Sequence, residues 1–317
     1  MKAIVQDGYG SHALHFHEIV KPTVDDDRVL VRIRAASVNA LDWHLTRGEP
    51  HLARLFLGLR RPKTRVRGVD LAGHVEAVGN NVTRFKPGDA VFGTARGTFA
   101  EYAATSEDRL VPKPHSLTFE QAAALPVAGC TALQGLRDKA RVRPGQRVLV
   151  YGAGGGVGTF AVQIAKSLGA HVTAVTSTGN VDLLHSIGAD ELIDYTTEDF
   201  TKRGQRYDVL FDIGANRSLT DCRHVLSSKA TLVLAGAASA PLTRILKGLV
   251  LSPFVSQRLI PFVARARHED LVTLKDLMES RKLSAVIDRQ YPLSEVPDAI
   301  RYVGTGHARG KVIINVA

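Results

Sequence analysis

One stretch limits the fold more than any other. Val148-Leu149-Val150-Tyr151 runs straight into Gly152-Ala153-Gly154-Gly155-Gly156-Val157-Gly158 and then into Thr159 to Leu168. The first segment has the apolar texture of a buried strand, and the last has the spacing of a helix, with Ala161, Ile164, Ala165 and Leu168 on one face. Gly169 follows, and glycine takes the left-handed terminal conformation that ends a helix without steric cost. The same alternation continues, with strands expected at Val172–Thr176, Glu191–Asp194, Val209–Asp212 and Thr231–Ala235. Strands separated by helices pair in parallel, so the middle of the chain is expected to form a doubly wound α/β sheet.

The glycine loop also points to a ligand. A dinucleotide pyrophosphate needs backbone N–H groups at close range and a helix N-terminus facing it, and side chains would block that approach. Ala153, Gly155 and Gly158 stand at the three positions of the G-x-G-x-x-G pattern, so the literal motif is absent. The alternative is a ligand-free β-α turn; the strand–loop–helix context favours the dinucleotide. NAD-specific folds place Asp or Glu about 20 residues further on, at the end of the second strand. Here that run is Val175-Thr176-Ser177-Thr178-Gly179-Asn180, with no carboxylate before Asp182. NADP(H) is therefore the favoured cofactor, although no Arg or Lys stands there to meet a 2′-phosphate.

The first third reads differently. Arg28–Val38 alternates polar and apolar residues over Leu30–Arg34, and Val69–Gly79 and Thr98–Thr105 are further strand candidates. Turns such as Lys86-Pro87-Gly88-Asp89 separate them, which suits a small barrel or sandwich. Near Ser116 the texture changes, and Ser116 or Thr118 can cap a helix. The final Lys311–Val316 run is a strand able to rejoin the first domain. The segment from Arg54 to Arg67 mixes Phe56, Leu57 and Leu59 with cations and reads either as a rim of the site or as a solvated basic loop.

Composition narrows the function classes. The formal charge is +10, compatible with anionic ligands, but no nucleic-acid motif accompanies it, so no nucleic-acid partner is expected. Two cysteines, Cys130 and Cys222, suit a reducing cytoplasm and cannot make a four-cysteine zinc site. No apolar run reaches the ~20 residues of a spanning helix, so no transmembrane segment is expected and the location is read as cytoplasmic. Monomer and homodimer stay open.

Several of these segments together resemble a known family. Ser37-Val38-Asn39-Ala40-Leu41-Asp42, Gly68-Val69-Asp70-Leu71-Ala72-Gly73 and Phe85 to Gly93 are similar to the N-terminal domain of the medium-chain dehydrogenase/reductases. Gly154 to Gly169 and Gly188-Ala189-Asp190 through Tyr195 are similar to their cofactor domain. Within that superfamily the chain most resembles the quinone oxidoreductases, zeta-crystallin among them, and the reticulon-4-interacting oxidoreductases share its ending Gly306 to Lys311. The resemblance implies a GroES-like β domain (1–115 with 286–317) around a Rossmann domain (116–285). By motif it implies that Gly154, Gly155, Gly156, Val157 and Gly158 hold the pyrophosphate. Ser177 and Tyr195 would flank the adenosine phosphate, Asn216 and Gly236 would follow later strand ends, and Thr131 would lie near the nicotinamide.

The departures from the family carry equal weight. Zinc alcohol dehydrogenases place Cys, His and a second Cys or an acid where Asn39, Val69 and Val127 stand here, and valine offers no ligand. No metal is therefore expected. Without a Lewis acid, simple alcohol oxidation loses its usual activation. Reduction of a quinone or an α,β-unsaturated carbonyl by NADPH asks less of the protein, because donors need only stabilise a developing oxyanion. Asn39 and His44 are the catalytic candidates, the first through its amide and the second as proton shuttle or nicotinamide-ribose contact. Asp42 is read as structural, paired with Arg47. Small molecules (a quinone, enone or aldehyde) are the expected partners. A zinc-free NADP-dependent alcohol or aldehyde oxidoreductase and a non-catalytic NADPH-binding protein are the competing readings.

Overall fold

The computed structural model describes residues 1–51, 54–214, 216–235 and 255–316. Contacts divide the chain into two compact units. The first comprises Met1–Cys130, Arg265–Ser280 and Ala285–Ala317, and the second Thr131–Ala264 with Arg281–Ser284.

The first unit is organised by one long strand, β3 (Arg28–Val38). Lys2–Gln6 (β1) and Leu14–Glu18 (β2) form a separate antiparallel pair. On one edge β3 pairs antiparallel with β4 (Asp70–Val78), and β5 (Ala90–Thr94) and β7 (Leu110–Pro112) continue outward. Its other edge is shared. Arg28–Arg32 pair with β6 (Tyr102–Ser106), whereas Ala35–Val38 pair with the C-terminal strand β15 (Lys311–Asn315), which in turn carries β14 (Ile287–Pro292). One edge can serve two partners because the β3–β4 register slips between Ile33 and Ala35, where a bulge re-aims the strand. The end of the chain thus rejoins the first unit, as its composition suggested. Ile4, Val31, Ile33, Leu71, Phe99, Ile300 and Ile314 are all fully buried in the core this sheet encloses.

The helices of this unit have legible starts and stops. Helix α1 (Ala40–Arg47) begins at Asn39 and ends at Gly48, whose φ of 65° is the left-handed terminal conformation. Arg54–Leu57 form a short turn, α2. Thr118, rather than Ser116, caps α3 (Phe119–Ala123): its hydroxyl accepts the Gln121 N–H, and the Gln121 side chain accepts the Thr118 N–H. Helix α4 follows as Pro126–Leu133. Of the basic segment, Arg54 donates to Arg47 and Gly48 carbonyls, Arg65 pairs with Asp7, and buried Arg67 donates to Gln6, so three of its cations are used internally.

The second unit is a six-stranded parallel sheet in the order β10-β9-β8-β11-β12-β13, with β8 Arg147–Tyr151, β9 His171–Thr176, β10 Glu191–Asp194, β11 Tyr207–Asp212, β12 Leu226–Leu234 and β13 Arg258–Pro261. Numbered from its first strand this is 3-2-1-4-5-6, the dinucleotide-fold order, with its switch point between β8 and β11. Strands β8, β9 and β11 are almost wholly buried, as a sheet covered on both faces requires. Helices α5 (Gly156–Ser167), α6 (Val181–Ser186) and α7 (Leu219–His224) provide crossovers. Among the described residues no helix is long and apolar enough to cross a membrane.

The C-terminal strand offers a direct check on this arrangement. Ile314 is fully buried and Asn315 exposed. Ile314→Ala is expected to cost about 2–5 kcal/mol by urea denaturation, and Asn315→Ala less than about 0.5 kcal/mol. Equal effects would place β15 outside the core.

Candidate active site and cofactor cradle

Of the expected cofactor residues, Gly154 to Gly158, Ser177, Tyr195 and Asn216 follow the carboxyl ends of the parallel strands β8, β9, β10 and β11. Gly154 and Gly155 close the loop after β8, and Gly156, Val157 and Gly158 form the first turn of α5. The Ala153 N–H donates to Val175 O at 3.1 Å, tying this loop to the end of β9. The Tyr195 N–H donates to Thr176 O at 2.9 Å, bringing exposed Tyr195 beside Ser177. The Gly214 N–H donates to Tyr151 O at 3.2 Å, which carries the segment leading to exposed Asn216 back against the end of β8. Thr131 is buried on α4. Gly236 lies outside the described residues.

The glycines have two different reasons to be glycine. A Cβ on Gly154 would lie 2.5 Å from the Asn180 amide nitrogen, and one on Gly158 would lie 2.3 Å from Gly152 O. Both are fixed by the protein's own close approach. At Gly155 a Cβ would meet nothing nearer than Gly152 O at 3.7 Å, and φ is an ordinary −83°. Internal packing does not ask for glycine there. Gly155 is the N-cap of α5 and has no side chain to satisfy the free N–H groups of the first turn. An open cradle of N–H groups at the positive end of a 12-residue helix fits a pyrophosphate.

The strand after this loop holds a feature that linear spacing missed. No carboxylate follows β9 in sequence before Asp182, but the Asp194 carboxylate arrives from the end of β10. It accepts from Thr178 Oγ1 at 2.5 Å and from the Thr196 N–H at 2.9 Å and hydroxyl at 2.7 Å. These hydrogen bonds hold its pKa below the ordinary carboxylate value. The Thr178 hydroxyl is therefore already donating to Asp194.

The catalytic candidates sit at the two ends of α1. Asn39 is buried: its amide nitrogen donates to Asp70 Oδ2 at 2.9 Å, and its amide oxygen accepts from Lys311 Nζ at 2.7 Å. His44 is partly exposed, with Nδ1 4.0 Å from Glu49 Oε2. Burial lowers its pKa and outweighs the opposing pull of Glu49. The ring is thus neutral near pH 7 and able both to donate and to accept.

Asp42 departs from the sequence reading. Arg47 pairs with Glu49 at 2.8 Å, not with Asp42. Residues five apart on a helix point to different faces, and Asp42 turns inward, where it accepts the Asn39 N–H at 2.8 Å. Its second oxygen is buried and has no hydrogen-bond partner among the described residues. Burial is the main cause that raises its pKa from 3.8 to about 7, with nearby Asp70 adding to the shift.

The geometry can now be set beside known proteins. Residues 25–115 match the model for the alcohol dehydrogenase GroES-like domain, and 187–314 that for the zinc-binding dehydrogenases. The chain is 34% identical to the mitochondrial NAD(P)H oxidoreductase RTN4IP1 of Mus musculus, over 100% of this chain and 89% of that protein. It is 33% identical to the chloroplastic NADPH-dependent alkenal/one oxidoreductase of Arabidopsis thaliana, over 99% and 79%. It superposes on the quinone oxidoreductase of Coxiella burnetii with a TM-score of 0.90, at 30% identity and covering 100% and 99% of the two chains. The chain belongs to the medium-chain dehydrogenase/reductases, in their quinone-oxidoreductase-like branch. It is an oxidoreductase of the NAD(P)-dependent class.

One matching family is described as zinc-binding, and the residues of this family member do not fit zinc. Among the described residues no group of three His, Cys, Asp or Glu side chains is placed to hold a metal. Asn39 is engaged by Asp70 and Lys311, and Val69 and Val127 have no ligand atoms in their side chains.

The Asp42 site predicts an unusual pH dependence. A carboxyl whose pKa is raised on folding stabilises most while protonated, and that stability is lost as pH rises from about 4 through about 7. Asp42→Asn keeps an acceptor for the Asn39 N–H and removes the titration. Between pH 5 and pH 8 the variant is expected to gain on the order of 2 kcal/mol relative to the unaltered protein. Parallel stability curves by denaturant unfolding would show that Asp42 is ionised throughout.

Proposed function

We propose that the protein reduces quinones or α,β-unsaturated carbonyls with NADPH and without zinc. The observation that carries this reading is the open glycine cradle at the head of α5, whose Gly155 serves no packing need of the protein itself. The names of its relatives, an alkenal/one oxidoreductase and a quinone oxidoreductase, support the substrate class. Cofactor binding is assigned to 116–285 and substrate binding to 1–115 with 286–317.

Bound NADPH supplies the hydride. Gly154 to Gly158 hold its pyrophosphate through backbone N–H groups, Ser177 and Tyr195 flank the adenosine phosphate, and Asn216 borders the cofactor further on. Thr131 and His44 approach the nicotinamide end. Asn39 has a second amide hydrogen beyond the one given to Asp70, available to a substrate oxygen. A neutral His44 relays a solvent proton to the enolate or hydroquinone oxygen rather than acting as a standing acid. The same reading places the protein in the cytoplasm, in keeping with its two free, buried cysteines, and allows a homodimer.

A panel of quinones, enones, aldehydes and alcohols, followed by NADPH absorbance, tests the proposal. Quinones or enones are expected to turn over and simple alcohols with NADP to do so poorly. Efficient alcohol oxidation with negligible quinone and enone reduction would reverse the assignment, and no turnover at all would favour a binding protein. A second test addresses Asp194, whose charge lies beside the adenosine end of the cradle. Asp194→Asn is expected to lower the NADPH Kd roughly three- to ten-fold by removing repulsion of the 2′-phosphate, with NADH little changed. An equal change for both cofactors would place Asp194 away from that phosphate.

A further inference from the structure

The three positions that the family resemblance equates with zinc ligands are 39, 69 and 127. In this chain they are drawn together by one carboxylate, that of Asp70, next to Val69. Its Oδ2 accepts from Asn39 Nδ2 at 2.9 Å and from Ser37 Oγ at 2.7 Å, and its Oδ1 accepts the Val127 N–H at 3.0 Å. Lys311 Nζ stands 3.5 Å from Oδ2 and donates at 2.7 Å to the Asn39 amide oxygen. Asp70 is wholly buried and Lys311 almost so.

We propose that Asp70, with Lys311 as its counter-charge, is the positioning residue of the reduction, fixing α1 and α4 where zinc dehydrogenases use a metal. The proposal rests on the functional reading above. Its partners come from four segments: hydrogen-bond donors at the end of β3, the start of α1 and the start of α4, and the Lys311 ammonium on β15. Two are the first turns of helices. At α4 the carboxylate accepts a first-turn N–H at the positive end of the helix. At α1 it grips the N-cap side chain. Thr131 lies four residues beyond Val127, one turn further along the same face, and His44 lies about one turn beyond the start of α1. A shift at either helix start therefore moves a residue assigned to the nicotinamide.

Stability alone does not account for this arrangement. A buried ion pair is a weak source of stability, and well-packed apolar side chains often do as well or better. What an apolar cluster lacks is direction. A carboxylate bonded by three donors, with an ammonium beside it, sets where each segment begins, which is the service a tetrahedral metal gives its ligands. The Lys311 ammonium completes the site, with its remaining contact to Val38 O at 3.4 Å. Burial lowers its pKa, and Asp70 and Asp42 act against that shift.

Four variants separate positioning from folding: Asp70→Asn, Lys311→Met, their double variant, and Ser37→Ala, which removes a single hydroxyl from the carboxylate. The readouts are thermal unfolding, NADPH Kd by fluorescence, kcat and KM for the best quinone or enone, and the His44 ring titration by NMR. Ser37→Ala is expected to fold normally and lower kcat several-fold while NADPH Kd stays within about twofold. Asp70→Asn is expected to lower kcat about 10- to 100-fold. The double variant, free of the unpaired Lys311 charge, regains folding but not kcat. In both Asp70 variants the His44 titration moves back up toward the ordinary histidine range. Folded variants with unaltered kcat and an unaltered His44 titration would overturn the proposal, as would kcat falling only in step with the folded fraction. Absence of turnover in the unaltered protein would refute the functional reading instead, and the His44 titration would still decide whether Asp70 fixes α1.

Discussion

A buried carboxylate, hydrogen-bonded by three donors and paired with an ammonium, is the interaction on which the first unit of this molecule depends. Removing Asp70 and Lys311 from water costs several kcal/mol per charge, and only close pairing with satisfied hydrogen bonds offsets that cost. The chain meets this demand with residues from distant segments, Ser37, Asn39, Val127 and Lys311, so the network cannot form until β3, β4, α4 and the C-terminal strand are all in place. This gives the last strand a second task. Beyond adding to the sheet beside β3, β15 delivers Lys311 to the start of α1.

The cofactor half depends on backbone instead of side chains. Parallel strands end on one edge, and the 3-2-1-4-5-6 order leaves a switch point beside β8 where a helix N-terminus stays uncovered. Gly154 and Gly158 permit the loop's close turn against Asn180 and Gly152, and Gly155 leaves its outer side open. Lys166 and Asp190 brace this arrangement. Asp190 accepts from Lys166 at 2.6 Å and from the Val172 N–H at 2.7 Å, joining α5 to the start of β9. The Gly-Ala-Asp motif that carried part of the family resemblance thus has a structural task at the far end of α5, away from the glycine loop.

Much of this was legible in the sequence because it is local. Strand β3 spans the predicted Arg28–Val38, where polar and apolar residues alternate, and β10 the predicted Glu191–Asp194. Helix α5 begins three residues before the predicted Thr159, inside the glycines, because an N-terminal first turn needs no side-chain pattern. What stayed hidden was contact between segments far apart in the chain. Asp70 opens β4, a strand that also carries Glu76, and nothing at its own position announces Lys311, 241 residues later. Asp194 comes to Thr178 only through β9–β10 pairing, so a search along the end of β9 passes it by. Asp42 was assigned to Arg47 by nearness in sequence, whereas helix geometry turns the two apart.

The central claim is that hydride transfer in this protein is organised by a buried carboxylate in the place of a metal. Its most direct test is one preparation measured twice, for zinc content by elemental analysis and for transfer of deuterium from 4-deuterated NADPH to the substrate in a single turnover with chelator present. The account predicts substoichiometric zinc and, with an enone, deuterium at the carbon β to the carbonyl. Tightly bound stoichiometric zinc whose removal abolishes deuterium transfer would contradict it.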